Sequence, residues 1–283
     1  MRDGYGGSVA HAIELVLNWP VDAVAGATVI DDEVIIVGTK DRRFPLASLT
    51  KLATAMAVLI AVEEGTVSLD DDVAALLELP DLAPLRLDDL LSHSSGLAPD
   101  SPARRLAAPA QRRIYSNAGY ELAADAVARC SAIPFGTYVH DAVFAPLAMR
   151  STTLIGSPAS GAVSTIDDLV ALLRELREPR LVSSATHERM VTPHHAGLGG
   201  ILPGFGRQVD NSWGLGPEIR DGKSPHWTGS LNSTESYGHF GRSGTFLWWD
   251  PVVRRGVIAL TTSEFGEWAA VEWPRLSDAV LSQ

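Results

Sequence analysis

The apolar period of this chain changes twice, and that change limits what it can fold into. Val24 to Ile30 and Glu33 to Val37 are apolar runs separated by Asp31-Asp32, a turn pair that predicts an antiparallel hairpin. From Val67 to about Leu181 the pattern is Ala- and Leu-rich and helical, with Pro and Ser-Gly breaks. From Trp213 it turns β-like again. Trp213 to Ile219, the turn Asp221-Gly222, Gly238 to Trp249 and Arg255 to Thr262 read as strands with hairpin connections. Strands at both ends with helices between them predict an α+β fold. Its core would be an antiparallel five-stranded sheet, two strands from the N-terminal part and three from the C-terminal part, with an all-helical lobe inserted. Val9 to Leu17 has helical periodicity and ends at Trp19-Pro20, and a final helix starts near Trp268, with Pro274 in its first turn or kinking it. These two terminal helices would flank the sheet. The expected sheet domain is 1–66 with 205–283, and the expected helical lobe is 67–204.

Between the two patterns lie the segments that would line a cleft. A helix begins near Ser48 after the charged stretch Lys40 to Arg43. Its body, Leu52 to Val62, is apolar with several alanines, so it is expected to run through the centre of the protein. Asp70-Asp71-Asp72, Pro80 to Pro84 and Pro99 to Pro109 read as loops joining short helices. Tyr115-Ser116-Asn117 directly precedes the helix Glu121 to Cys130 and so sits on a loop, where functional residues gather. Thr165, with Asp168 three residues on, reads as the N-cap of a helix over Leu169 to Leu176. Thr192 to Asn211 is Gly- and Pro-rich and is expected to be a long surface loop at the cleft.

Composition narrows the function classes. With 23 basic and 34 acidic residues the formal charge is −11, which repels phosphate backbones and anionic membrane surfaces, so no nucleic-acid or membrane partner is expected. Cys130 is the single cysteine, which rules out an internal disulfide or a thiolate metal cluster; it reads as a small buried residue of an Ala-rich helix. No secretory pattern is visible at the start, where Asp3 follows Arg2 and Glu14 interrupts the first apolar stretch. The longest apolar run, Leu52 to Val62, is about half what a bilayer span needs. The expectation is a cytoplasmic protein.

Three clusters carry chemistry: Ser48-Leu49-Thr50-Lys51, Tyr115-Ser116-Asn117 and His239-Phe240-Gly241. A serine is a weak nucleophile until a neighbour takes its proton, and a lysine three residues on lies on the same helical face. Taken singly, Ser48 reads as an N-cap, Lys51 as a solvated side chain and Tyr115 as a core aromatic. Ser-x-x-Lys arises by chance in most chains of this length. All three clusters in order are a strong signal.

Order and spacing resemble the Ser-x-x-Lys, Tyr-x-Asn and Lys/His-x-Gly motifs of the penicillin-recognising serine hydrolases. Leu90-Leu91-Ser92-His93-Ser94-Ser95-Gly96-Leu97 is similar to a stretch of the class C β-lactamase, D,D-peptidase and esterase branch. So are Ser164-Thr165 through Asp168-Leu169, and Gly238 to Gly241 with Ser243-Gly244-Thr245 and Trp248 to Pro251. The resemblance runs from about Val24 to the C-terminus and implies the same sheet-and-lobe architecture, with Ser48 at the junction.

The resemblance implies that Ser48 attacks a carbonyl while Lys51 and Tyr115 share the proton handling. It places the oxyanion on the backbone N–H groups of Ser48 and Arg242, and gives Asn117 an amide contact to the lysine and the substrate. Gly241 would let the strand edge approach the substrate without a side chain. Lys51 starts near pKa ~10.4 and Tyr115 near ~10, so either needs about 4 kcal/mol of help to act as a base at neutral pH. Burial lowers a lysine and an adjacent cation lowers a tyrosine, so both stay candidates.

The third motif departs from the Lys-Thr-Gly usual in β-lactamases. His239 is mostly neutral at pH 7 and Phe240 has no hydroxyl, so recognition of a substrate carboxylate is weakened unless Arg242 supplies it. His93 offers no Ser-His-Asp alternative, because no Gly-x-Ser-x-Gly elbow exists in the chain. His194-His195 adjacency is not metal-ligand spacing, and neither a metal nor a cofactor is expected. Arg104-Arg105 and Arg112-Arg113 read as solvated charges near the cleft rim, and Trp213, Trp248 and Trp249 as core or cleft-wall aromatics. The expected activity is hydrolysis of small carboxylic esters, or less readily amides, through an acyl-enzyme on Ser48. A D,D-peptidase, a D-amino-acid peptidase or a weak β-lactamase is the alternative within enzymes. A non-catalytic binding protein retaining the fold is the alternative outside them, though both Ser48 and Lys51 are present.

Overall fold

The computed structural model describes residues 12–283. Six strands form the central sheet: β1 (Val24–Ile30), β2 (Glu33–Gly38), β3 (Glu218–Ile219), β4 (Tyr237–Gly241), β5 (Thr245–Asp250) and β6 (Arg255–Thr261). Their order is β3-β4-β5-β6-β1-β2, and every neighbouring pair is antiparallel. The sheet therefore has one strand more than the five expected. The run Gly238 to Trp249 is not a single strand. It folds back on itself at Arg242-Ser243-Gly244, where Gly244 takes φ +77° and its N–H donates to Gly241 O at 3.0 Å. Trp213 to Ile219 contributes only its last two residues, because Gly216 sits at φ +126° and Pro217 has no N–H to give a ladder.

Side chains alternate across this sheet as a period of two requires. Val24, Phe246, Trp248, Val257 and Ala259 face one core with Ile13, Val16, Trp273, Leu276 and Val280. These come from the 3₁₀ turn Glu14–Asn18 with the residue before it and from the C-terminal helix Glu267–Leu281, which holds Pro274 in its interior. The first part of the helix expected over Val9 to Leu17 lies outside the described residues. On the opposite face, Ala25, Ala27, Leu247, Trp249, Ile258 and Leu260 meet the larger core of the helical region.

Five longer helices are labelled α1 (Thr50–Glu63), α2 (Asn117–Ser131), α3 (Ile166–Arg177), α4 (Ser184–Val191) and α5 (Glu267–Leu281). Thr50 to Ala61 of α1 are all buried, so this helix is enclosed on every side, as the apolar run from Ala55 to Ala61 requires. Thr165 caps α3 as expected, its hydroxyl accepting from Asp168 N. Packing of α3 against β1, β5 and β6 covers the sheet on the lobe side.

The inserted lobe is not all-helical, since its Thr153–Leu154 and Ala162–Ser164 join Phe44–Pro45 in a three-stranded sheet, and local expectations fail as well. Ser101–Arg105, read as loop, pairs with Leu97–Ala98 as a short strand. Cys130 is exposed rather than buried, because it occupies the solvent side of the last turn of α2. Among the described residues no helix is long and apolar enough to cross a membrane.

Candidate active site

Ser48 lies in a 3₁₀ turn, Ala47–Leu49, that runs straight into α1. Lys51 follows one turn later and is completely buried. Its Nζ makes three polar contacts: Asn117 Oδ1 at 2.7 Å, Ala159 O at 2.8 Å and Ser48 Oγ at 3.3 Å. Burial pulls the amine from the ordinary lysine range down to about 7, with Glu121 and Asp100 holding it from falling further. A neutral amine has two N–H donors and one lone pair. Asn117 Oδ1 and Ala159 O absorb both donors, which leaves the lone pair facing Ser48 Oγ.

The segment supplying Ala159 O is fixed onto α1. Thr54 Oγ1 donates to Pro158 O at 2.6 Å, and Ala162 N donates to Thr50 Oγ1 at 3.0 Å. Two threonines one turn apart on α1 thus hold the lysine's acceptor in place, a role their sequence pattern did not announce.

Tyr115 and Asn117 come from the loop entering α2. Ser116 between them is the N-cap, its Oγ accepting from Gly119 N at 3.1 Å, so alternate residues project into the cleft. Asn117 Nδ2 donates to Asp100 Oδ1 at 2.7 Å, which orients its oxygen toward Lys51. Lys51 Nζ stands 4.7 Å from the centroid of the Tyr115 ring. The Tyr115 hydroxyl is buried without a hydrogen-bond partner, and burial raises it above the usual phenol range despite the nearby Ser48 hydroxyl. Underneath, His93 packs 4.4 Å from the Tyr115 ring. Its Nδ1 accepts from Ser116 N at 3.1 Å, so the proton sits on Nε2, edge-on to Trp213. Burial keeps this imidazole neutral, and its place is structural.

The third cluster is carried by the β4–β5 hairpin. His239 is buried, and burial together with the Lys51 charge drops it to about 3. Its Nδ1 donates to Phe240 O at 2.7 Å, so Nε2 is a bare acceptor with no partner. Phe240 packs among Phe205, Trp227, Phe265 and Trp273. Gly241 has a reason to be glycine within the chain itself: a Cβ there would run into Leu46 O and stand 2.6 Å from Thr245 Oγ1. The hairpin is clamped onto the turn before the serine, with Ser243 Oγ donating to Pro45 O at 2.7 Å and Thr245 Oγ1 to Leu46 O at 3.0 Å. The Arg242 side chain is 84% exposed and lies 3.6 Å from Glu264.

Ser48, Tyr115, Asn117, His239 and Arg242 line one cavity of about 250 Å³, closed on another side by Trp213. Lys51 is its buried floor. Six of the seven residues singled out from the sequence therefore meet here, and Gly241 lies between the lining residues Phe240 and Arg242 without lining the cavity itself.

Other polar clusters lie around this centre. Arg113, expected to be solvated, is buried. Its guanidinium donates to Ser92 O at 2.8 Å, Asn211 O at 3.1 Å, His195 O at 2.9 Å and His194 O. Carbonyls from three separate segments replace water around it, and burial lowers it to about 10. Glu218 is also buried; burial would raise it, but Lys223 at 3.1 Å and His226 at 2.9 Å bring it down to about 2. His194, His195 and Asp89 bring donor atoms within 4.8 Å of one another, although the two histidines are adjacent in sequence. Asp89 already accepts from His195 Nε2 at 3.0 Å and from Ser94 Oγ.

Residues 24–281 match the family model described as Beta-lactamase. A β-lactamase (Mb2281c) from Mycobacterium bovis is 45% identical and superposes with a TM-score of 0.90, covering 96% of this chain and 98% of its own. EstCE1, a hydrolase with promiscuous acyltransferase activity, shares the fold at 17% identity, with a TM-score of 0.81 over 97% of this chain and 98% of its own. The D-alanyl-D-alanine-carboxypeptidase/endopeptidase AmpH of Escherichia coli K12 is 29% identical over 40% of this chain, and the match spans 37% of that enzyme's length. The family match covers the whole sheet and the lobe between its strands, and the chain belongs to the β-lactamase family of serine hydrolases.

Proposed function

We propose that this hydrolase cleaves small carboxylic esters through an acyl-enzyme on Ser48, with Lys51 as the base. The observation that carries this reading is the lysine's surroundings: a buried amine, poised near neutrality, whose two donors are engaged and whose lone pair faces Ser48 Oγ. Ser48 Oγ attacks the ester carbonyl as its proton passes to Lys51. The oxyanion is held by the backbone N–H groups of Ser48 and Arg242, donors worth roughly 10²–10³ in rate each. Collapse returns the proton to the leaving alkoxide through the neighbouring Tyr115 hydroxyl, which takes the Lys51 proton as it gives up its own. Water then attacks the acyl-enzyme with Lys51 again as base, releasing the acid.

The third cluster supports esters over carboxylate-bearing substrates. His239 is neutral and Phe240 offers only a hydrocarbon edge. A lost charged hydrogen bond is worth roughly 1.5–3 kcal/mol, or at least about tenfold in kcat/KM. A D,D-peptidase or weak β-lactamase is the second reading, favoured by the likeness to AmpH and Mb2281c and by Arg242 at the cavity wall.

The test has two parts. Intact-mass analysis after treatment with an activated phosphonate is expected to show one adduct, absent in Ser48→Ala. The second part compares kcat/KM at pH 7 for ethyl butyrate, a D-Ala-D-Ala peptide and a cephalosporin. An ester preference of tenfold or more supports the first reading. A higher value for the peptide or the cephalosporin hands the site to the second.

A further inference from the structure

Beside the Ser48 cavity lies a larger one of about 950 Å³. Pro99, Tyr115 and Pro203 wall both, so the two cavities adjoin across these residues. Leu106, Ile114, Ile201 and Val209 give the larger cavity an apolar lining. Ile201 is 59% exposed and Val209 92% exposed, a poor arrangement for side chains that cover nothing. The Thr192 to Asn211 segment folds into a short hairpin here, Gly200–Leu202 with Gly206–Gln208. Its first strand is pinned by Arg113 N donating to Gly199 O at 2.9 Å, so the apolar wall is built on a braced support.

Charge at this cavity runs against the rest of the molecule. The chain carries −11 overall, yet no acidic residue lines the cavity, whereas Arg112 and Arg207 do. Neither arginine has a carboxylate partner among the described residues. Arg112 donates only to Leu106 O at 3.2 Å. Two unpaired guanidinium groups at an apolar slot fit an anion at the end of a hydrocarbon chain.

Resting on the ester-hydrolase reading of Ser48, we infer that this cavity takes the alcohol arm of the substrate, an apolar chain ending in an anionic group. The assignment to the alcohol side follows from Tyr115. The group that hands a proton to the leaving oxygen stands beside that oxygen, and Tyr115 lines both cavities, whereas Asn117 borders only the smaller one. The anion sought here is distal, at the far end of an apolar arm. It is distinct from a carboxylate next to the scissile bond, which the third cluster disfavours.

The experiment compares 8-acetoxyoctanoate with octyl acetate, equal in chain and differing in the terminal carboxylate, by acetate release at pH 7.5. Hydrolysis of the first gives acetate and 8-hydroxyoctanoate. Its kcat/KM is expected to be about tenfold higher or more, mainly through KM, and the gain is expected to vanish in Arg112→Gln/Arg207→Gln. Ethyl acetate turnover is expected to stay unchanged in that variant. Equal values for the two octyl substrates, or a preference that survives the double substitution, overturn the inference while ethyl acetate turnover leaves the ester reading standing. An arginine-dependent gain seen instead with monoethyl octanedioate, which puts the carboxylate on the acyl side, overturns the assignment of the arm. No turnover of any ester, with no phosphonate adduct on Ser48, overturns the ester reading and this inference with it.

Discussion

Lys51 Nζ sits 3.3 Å from Ser48 Oγ, and its other two polar neighbours, Asn117 Oδ1 and Ala159 O, can only accept. The number of donors on a neutral amine matches the number of acceptors around it, and the remaining direction is the nucleophile. Between the two groups considered as base, the structure separates the lysine, lowered by burial, from the tyrosine, raised by it. The same burial acts in opposite directions because one group is charged when protonated and the other when deprotonated.

The activity is expected to fall on the acid side with a midpoint near pH 7, as Lys51 gains its proton and loses the lone pair. No alkaline loss from Tyr115 is expected below about pH 10, since its hydroxyl is pushed above the ordinary phenol value. The measurement is kcat/KM for a neutral ester across pH 4–10. A profile that stays level down to pH 4 would point away from Lys51 and toward a lower-titrating group such as His239, which burial lowers to about 3.

Lys51→Met is expected to abolish turnover, and its stability relative to the parent is expected to depend on pH. The folded lysine titrates near 7 and the unfolded one near 10.5, so the unfolded chain binds more protons between those values. Stability of the parent from this group therefore rises with pH across that window. Going from pH 9 to pH 6, the variant is expected to gain about 2–3 kcal/mol on the parent. Urea unfolding at the two pH values checks this. A pH-independent difference would mean that Lys51 keeps an ordinary pKa.

How far the sequence reached depends on where each signal lives. Ser48 and Lys51 were legible because three residues of helix fix their geometry, and Tyr115 and Asn117 because alternate residues of an extended loop face one way. The break at Arg242 to Gly244 has a local signal, Gly241-Arg242-Ser243-Gly244, which the apolar residues on either side outweigh over a strand-length window. Arg113 was misread because its partners are backbone carbonyls, which leave no mark in a side-chain pattern. At Gly241 the structure adds a cause that the sequence does not show, the close approach of Leu46 O from the same chain. The second cavity depends on a hairpin in a Gly- and Pro-rich segment, where composition indicates a loop and says little of its shape.

Gly241→Ala is expected to lower both stability and activity. A methyl group would meet Leu46 O and Thr245 Oγ1, forcing the hairpin away from the turn that carries Ser48. Overpacking of this kind costs about 1–3 kcal/mol. Because the displaced elements carry Ser48 and Arg242, kcat/KM is expected to drop tenfold or more while the chain still folds. Denaturant unfolding and ester turnover on the same sample measure both effects. Full activity with unchanged stability would show that the hairpin can shift freely.

Arg113→Met tests whether a buried cation without a carboxylate partner braces the cleft. The guanidinium ties Ser92, which precedes His93, to Asn211, which precedes Ser212-Trp213, and to the His194-His195 turn. Tyr115 lies two residues further along the same strand of chain, stacked on His93. Methionine fills part of the volume but leaves four carbonyls without donors, and each buried unsatisfied acceptor costs about 1–3 kcal/mol. The expected destabilisation is at least about 3 kcal/mol, with Arg113→Lys intermediate because an ammonium has three donors and cannot span the same fork. Activity is expected to fall through kcat, as the His93–Tyr115 stack loosens while the Ser48–Lys51 pair remains. A variant within 1 kcal/mol of the parent, as judged by urea unfolding, would show that water can enter and take over the guanidinium's hydrogen bonds.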